Sequence, residues 1–324
     1  MKNQTFKKSA LALAVGTAMV APAAMADISI TGSVRAGVVA DDSSVQDFAL
    51  RSVGSRFIMS ASEDIGGGLT GIGRIEVGIN PDSTSGGGRT TTGRDAGFDR
   101  TRQIWGGLKG GFGTVKIGAQ YSAFYDTVTS KGDIAWWGSC FIEFECAREP
   151  TVLKYSGGVG GFGFTASVQG VEASNDNNQS DEELDEIEAG VSYQFGPAKI
   201  GAAIALDEDF NGDQGTLIGL SATGSFSGVG LSLVLQSADE DFANDTDDNT
   251  VVTVTGTFAG FYALFTSLDT SGPTPTNFTL GYQWNIAKKT LMYFEFQQLD
   301  ADDGSDENTI LRAVLKRDFT LTGG

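Results

Sequence analysis

Ile187-Glu188-Ala189-Gly190-Val191-Ser192-Tyr193-Gln194-Phe195 changes character at every residue, apolar at odd positions and polar or small at even ones. Successive side chains of an extended strand point to opposite faces, so this stretch has one greasy face and one wet face. The same period recurs on both sides of it. Ile28, Ile30, Val34, Ala36 and Val38 alternate with Ser29, Thr31, Ser33 and Arg35. Ile218, Leu220, Ala222 and Phe226 alternate with Gly219, Ser221, Thr223 and Ser225, and Val252 and Val254 with Thr253 and Thr255. Phe278, Leu280, Tyr282, Trp284 and Ile286 alternate with Thr279, Gly281, Gln283 and Asn285. Strands of about ten such residues are long enough to cross a bilayer when tilted.

The connections alternate in kind as well. Short turns are expected at Asp64–Gly68, Lys109–Gly113, Gly157–Gly161, Gly196–Ala198, Ser227–Gly230, Ala259–Gly260 and Ala287–Lys289. Longer polar loops are expected near 41–54, 80–98, 122–150, 171–185, 207–215, 237–249, 269–276 and 300–307. Seven turns and eight loops join sixteen strands, an even number with short connections on one side and long ones on the other, as in bacterial membrane barrels. Phe112, Phe162, Phe195, Phe226, Phe258, Phe261 and Trp284 gather beside the short turns, where a headgroup-level girdle would place them. A soluble β-sandwich also alternates, but gives no reason to segregate loop length. The fold expected is all-β, a transmembrane antiparallel barrel of sixteen strands; side chains cannot fill so wide a cylinder, so its lumen should hold water.

Lys2, Lys7 and Lys8, the apolar stretch Ala10 to Val20 and Ala24-Met25-Ala26 have the layout of a cleaved signal peptide. The sequence therefore divides into a signal peptide at 1–26, a barrel at 27–319 and a short C-terminal extension at 320–324. The 41 acids outnumber the 22 basic residues, giving a net charge of −19. That leaves no basic face for nucleic acid. Histidine is absent, which removes the Ser-His dyad of barrel hydrolases, and no paired acids stand out from the loop background. No enzyme is expected. Gly106-Gly107-Leu108-Lys109-Gly110-Gly111-Phe112-Gly113 lacks P-loop spacing and is flanked by strands, so it reads as a turn.

Several stretches resemble the general porins of Gram-negative bacteria. Ile30-Thr31-Gly32-Ser33-Val34-Arg35-Ala36-Gly37-Val38 resembles their first strand, and Ser55-Arg56-Phe57 with Ser62-Glu63-Asp64-Ile65-Gly66-Gly67-Gly68-Leu69 their second strand and first turn. The segment Arg102 to Gly118 is similar to their fourth hairpin segment, and Leu315-Lys316-Arg317-Asp318-Phe319 to their last-strand signal, although Thr320–Gly324 follow here. The resemblance implies passive diffusion of ions and small hydrophilic solutes, a homotrimer with one pore per subunit, and a third external loop folded into the barrel. A solute-specific channel of the same type is the alternative; a barrel enzyme or an adhesin is more remote.

Arg35, Arg56 and Arg102 fall at positions resembling the family's basic pore wall. Arg100 and Arg74 share lumen parity, Trp105 falls on the apolar side, and Arg148 sits where the third loop re-enters the wall. An arginine facing lipid at mid-depth would cost roughly 2–4 kcal/mol. The facing acids would come from the third loop, with Asp126, Asp133, Glu143, Glu145 and Glu149 as candidates, and Trp136 and Trp137 could pack that loop on the wall. Cys140 and Cys146, in an exported chain, are expected to form a disulfide within it; a reactive thiol pair is the sharper alternative, without a histidine to activate it. Asp207, Asp209 and Asn211 imitate the start of an EF-hand loop whose twelfth position is Ile218 instead of Glu. The acidic external loops read first as simply solvated, with looser Ca²⁺ or Mg²⁺ bridging to lipopolysaccharide as the alternative. Those acidic loops also suggest a mild cation preference, because a negative mouth concentrates cations within a Debye length.

Overall fold

The computed structural model describes residues 26–42, 48–80, 97–136, 139–140, 142–170, 184–208, 214–243, 245, 247–305 and 307–323. The expected signal peptide lies almost wholly outside them. The strands run β1 Asp27–Asp41, β2 Phe48–Ser52, β3 Arg56–Gly66, β4 Leu69–Asn80, β5 Gly97–Gly110, β6 Gly113–Gln120, β7 Glu149–Val159, β8 Phe162–Gly170, β9 Leu184–Phe195, β10 Ala198–Glu208, β11 Gln214–Phe226, β12 Val229–Ala238, β13 Asn249–Phe258, β14 Phe261–Asp269, β15 Thr276–Ala287, β16 Thr290–Asp300 and β17 Asn308–Gly323. Consecutive strands pair antiparallel, except that β2 and β3 both pair with β1, and β1 pairs with β17, so the sheet closes on itself. Closure removes both edges, which lets every strand satisfy its backbone inside lipid. No helix among the described residues is long and apolar enough to cross a membrane.

The seventeen strands make sixteen staves, because β2 and β3 both pair with β1 and form a single interrupted one. The interruption is Val53-Gly54-Ser55, where Gly54 has φ 73°. The Arg35 amide donates to Ser55 Oγ at 2.8 Å, and Ser55 Oγ donates back to the Arg35 carbonyl at 3.1 Å, so one hydroxyl replaces a ladder bond. Within 41–54, expected as a loop, Phe48–Ser52 instead continue the pairing beyond the kink. A second correction concerns the expected C-terminal extension: Thr320, Leu321 and Thr322 pair with Thr31, Ile30 and Ser29, and so belong to the closing strand.

The faces sort as the alternation requires. Val34, Ile187, Val191, Ile218, Leu220, Val254, Leu280 and Leu311 are exposed on the outer surface, where lipid would meet them, while Ser33, Arg35, Glu188, Ser221, Thr253, Thr279 and Arg312 point inward and are buried. The girdle aromatics Phe112, Phe162, Phe195, Phe226, Phe258, Phe261 and Trp284 are all exposed. Phe162 leans on Tyr193 and Phe261 on Tyr282, with ring centroids 4.5 and 4.6 Å apart. The turns beside them are tight. Ala259 at φ 50° and Gly260 at φ 89° join β13 to β14 with positive φ at both central residues, the form that matches the twist of a hairpin.

Candidate functional site

Between β6 and β7 the chain turns inward, contacting side chains on the inner face. Ser122 caps the short helix α1, Ala123–Thr127, accepting from the Tyr125 amide at 3.1 Å. The other first-turn amides find partners on the wall: Ala123 N donates to Ser167 Oγ and Phe124 N to Glu188 Oε2, both at 2.7 Å. Phe124 and Val128 are fully buried against Ala203, Ala205, Leu217 and Val234. Glycine leaves room for them. A Cβ at Gly190 or Gly201 would strike Thr127, and one at Gly219 would strike Phe124.

The segment then reaches the far side of the ring. Trp136 stacks on Tyr293 at 5.1 Å, with the Arg35 guanidinium 5.0 Å and the Lys316 ammonium 4.9 Å from its centroid. Contact with β9–β11 at one end and with β1, β16 and β17 at the other spans the barrel. On its return, Phe144 N donates to Gln236 Oε1 at 2.9 Å, and Glu143 Oε1 accepts from Thr253 at 3.0 Å and Thr266 at 3.1 Å. Cys140 and Cys146 form a disulfide, as expected, closing a small ring within this stretch.

The inner wall of β1 and β3–β5 carries a compact basic cluster. Glu76, only 2% exposed, receives Arg74 Nη2 at 2.6 Å, Arg102 Nε at 2.8 Å and Arg56 Nη1 at 3.3 Å. Gln103 Nε2 adds a fourth contact at 3.3 Å. Arg35 is buried beside them, its Nε donating to Ser33 Oγ at 3.1 Å. Arg148 lies over the Tyr121 ring and donates to its hydroxyl; burial lowers its pKa. Arg35, Arg56, Arg74, Arg102 and Arg148 thus lie near one another on the inner face. The Arg100 side chain lies outside the described residues.

The position of Trp105 departs from that parity. Glu76 pairs with Gln103 and Val77 with Thr101, leaving Arg102 as the extra residue of a bulge. Arg102 and Gln103 therefore both reach Glu76, and Trp105 turns inward, its Nε1 donating to Gln103 Oε1 at 3.1 Å with Lys116 Nζ 4.4 Å from its ring. Trp105 is not on the lipid side.

The five loop acids separate. Asp126 and Asp133 are exposed; Asp126 takes Lys154 Nζ at 2.5 Å, and Asp133 accepts from the Tyr125 hydroxyl at 2.6 Å. Glu143 is tucked between loop and wall, where burial raises its pKa despite both threonine hydroxyls. Glu145 turns toward Glu186 and Glu188; burial, then repulsion from Glu188 and Glu149, push it up to about 9. Glu149 begins β7, paired with Gln120. Glu143 and Glu145 are therefore held against the wall, while Asp126 and Asp133 are the exposed ones. Of the EF-hand imitation, Asp209 and Asn211 lie outside the described residues, and Asp207 pairs with Glu186 near the end of β10. Trp137 is also outside them. Glu76, Lys154, Glu186 and Glu188 escaped the sequence reading; inward parity was their only signal.

A closed antiparallel barrel with a loop seated on its inner wall and charged groups facing one another defines a membrane-channel architecture. A family profile described as Gram-negative porin matches residues 10–304, and the chain belongs to that family. The major outer membrane protein P.IB of Neisseria meningitidis serogroup B is 33% identical over 143 residues, 41% of this chain and 38% of that relative. Its Neisseria gonorrhoeae counterpart is 30% identical over 210 residues, 58% of this chain and 53% of the relative. The matched stretches thus span about half or less of those relatives' lengths. An anion-selective porin from Comamonas acidovorans shares the fold with a TM-score of 0.71 at 19% identity, covering 91% of this chain and 100% of that one. OmpF of Salmonella typhi does so with a TM-score of 0.66 at 16% identity, covering 91% and 97%. Family and closed barrel place the protein in the outer membrane.

Proposed function

We propose that the chain forms a water-filled channel for passive diffusion of ions and small hydrophilic solutes, narrowed by the segment between β6 and β7, and preferring anions. The observation that carries the preference is the grouping of Arg35, Arg56, Arg74 and Arg102 around one buried acid, Glu76, with Arg148 facing them. Asp126 is already paired with Lys154, so it does not offset that wall. Field strength falls with distance and with salt. Charge at the narrowest point therefore outweighs charge on loops at the mouth, and the mild cation preference expected from acidic loops gives way to the arginines. Likeness to an anion-selective porin shows the fold alone, and the preference follows from these side chains.

The family implies three barrels side by side, and the exposed outer residues Phe48 and Leu50 supply apolar surface for lipid or for a neighbouring copy. Contact with lipopolysaccharide through Ca²⁺ or Mg²⁺ at the outer loops remains part of this proposal, and no catalytic role is included. Reversal potentials across a planar bilayer in asymmetric KCl test the preference. A sign reporting greater chloride permeability, reduced in Arg56→Gln and Arg102→Gln, is expected. A potassium-selective parent would overturn it.

A further inference from the structure

We propose that Glu145, Glu186 and Glu188 form a binding site for one Ca²⁺ ion, which fastens the returning end of the β6–β7 segment to the inner face of β9. Each of the three offers a carboxylate oxygen, and those oxygens all lie within 4.8 Å of one another. Oxygens on opposite sides of one Ca²⁺, each 2.3–2.6 Å from it, stand about 5 Å apart, so all three can share a single ion. A set made wholly of protein oxygens suits Ca²⁺, because Mg²⁺ gives up its waters reluctantly.

A second observation is independent of the clustering. Glu186 and Glu188 are 8% and 3% exposed, and Oε1 of each receives no hydrogen bond. Glu188 Oε2 is committed elsewhere, accepting from Phe124 N and from Ser167 Oγ at 2.8 Å. Gln169, opposite Glu186 in the β8–β9 register, has an Oε1 with no donor either. Among the described residues no lysine or arginine pairs with any of the three acids. Buried carboxylates without a counter-charge are costly, and such groups are ordinarily paired or bound to metal. The donors are all oxygen, the set that hard divalent cations take. The neighbouring sulfurs, Cys140 and Cys146, are joined to each other and offer no thiolate.

The site would couple two devices. Glu188 holds the start of α1 through one oxygen and would hold the ion through the other, so both ends of the inward segment would converge on one wall residue. Glu145 precedes Cys146, so the ion and the disulfide would fix the same stretch. This inference is separate from ion preference, which rests on the opposite wall.

Calorimetric titration of EDTA-treated, lipopolysaccharide-free refolded protein with CaCl₂ tests it. The expected result is one saturable site per chain that discriminates against MgCl₂ at least tenfold, with a Ca²⁺-dependent rise in melting temperature. Glu186→Gln and Glu145→Gln should each weaken that site at least tenfold and abolish the rise. Asp247→Asn with Asp248→Asn, in an outer loop, should leave both in place. Should Glu186→Gln fail to fold, Glu145→Gln lies outside the sheet and supplies the same readout. Absence of saturable Ca²⁺ binding in the parent, equal affinity for Mg²⁺, or a site that survives Glu145→Gln would overturn the proposal. None of these outcomes depends on whether the barrel conducts.

Discussion

Glu76→Gln removes the one negative charge at the centre of the arginine wall while keeping its shape. Three guanidinium contacts, at 2.6, 2.8 and 3.3 Å, lose their ionic partner. The acid is 2% exposed, but the side chains of Arg56, Arg74 and Arg102 are 24%, 29% and 11% exposed, so water screens each pair. Exposed pairs contribute under 1 kcal/mol and breaking a buried one costs 3–5 kcal/mol; about 1 kcal/mol per contact, roughly 3 kcal/mol in all, is the expected loss. The electrostatic effect follows from distance. A unit charge about 6 Å from a passing ion is worth about 0.7 kcal/mol in water, and about 0.4 kcal/mol after screening at 0.1 M salt. Chloride gains that amount and potassium loses it, so the chloride-to-potassium permeability ratio should rise about fourfold. Urea unfolding followed by tryptophan fluorescence reads the first effect, and reversal potential in asymmetric KCl the second. An unmoved reversal potential, or a midpoint equal to the parent's, would refute the reasoning.

Other perturbations probe the inward segment. Trp136→Ala removes the stack on Tyr293 and the contacts with Arg35 and Lys316, worth about 2 kcal/mol together; larger and noisier single-channel currents are expected, and currents identical to the parent's would count against that anchor. Gly219→Val places a side chain where Phe124 sits, so α1 should be displaced and conductance altered while circular dichroism stays that of a barrel. Reducing Cys140–Cys146 should cost about 2 kcal/mol by the chain-entropy relation for so small a ring, read as a lower melting temperature in dithiothreitol that Cys140→Ser no longer shows. Slight burial works to raise the Asp239 pKa, but hydrogen bonds from Thr216 N and Phe242 N outweigh it and hold it low. The folded value lies below the unfolded one, so this contribution is present above about pH 4 and is lost on further acidification. An NMR titration of Asp239 should show the depressed midpoint.

How much could be read beforehand varied by element. Staves such as Ile187–Phe195 and Phe278–Ile286 were legible because lipid on one side and water on the other impose a period of two on the residues themselves. Short turns were legible because the hairpin demands positive φ, and glycine marks it. Phe48–Ser52 were missed because a glycine and a serine break the stave at a point that reads as a loop end. The bulge at Arg102 was hidden, since a register shift depends on two strands together, and that single extra residue reversed the face of Trp105. Arg35, Arg56, Arg74 and Arg102 were recoverable one at a time from the cost of arginine in lipid. Their gathering on Glu76 was not, because it joins residues from β3, β4 and β5. The loop acids had no period to follow, so the partition of Asp126 and Asp133 from Glu143 and Glu145 appeared only in three dimensions.

The central claim is that the hollow of this sheet is filled with water from end to end. Single-channel recording of the refolded parent in a planar bilayer addresses it directly. Discrete current steps proportional to voltage and to bulk salt conductivity are predicted. An inserted protein with barrel circular dichroism that passes no current at any voltage would contradict it.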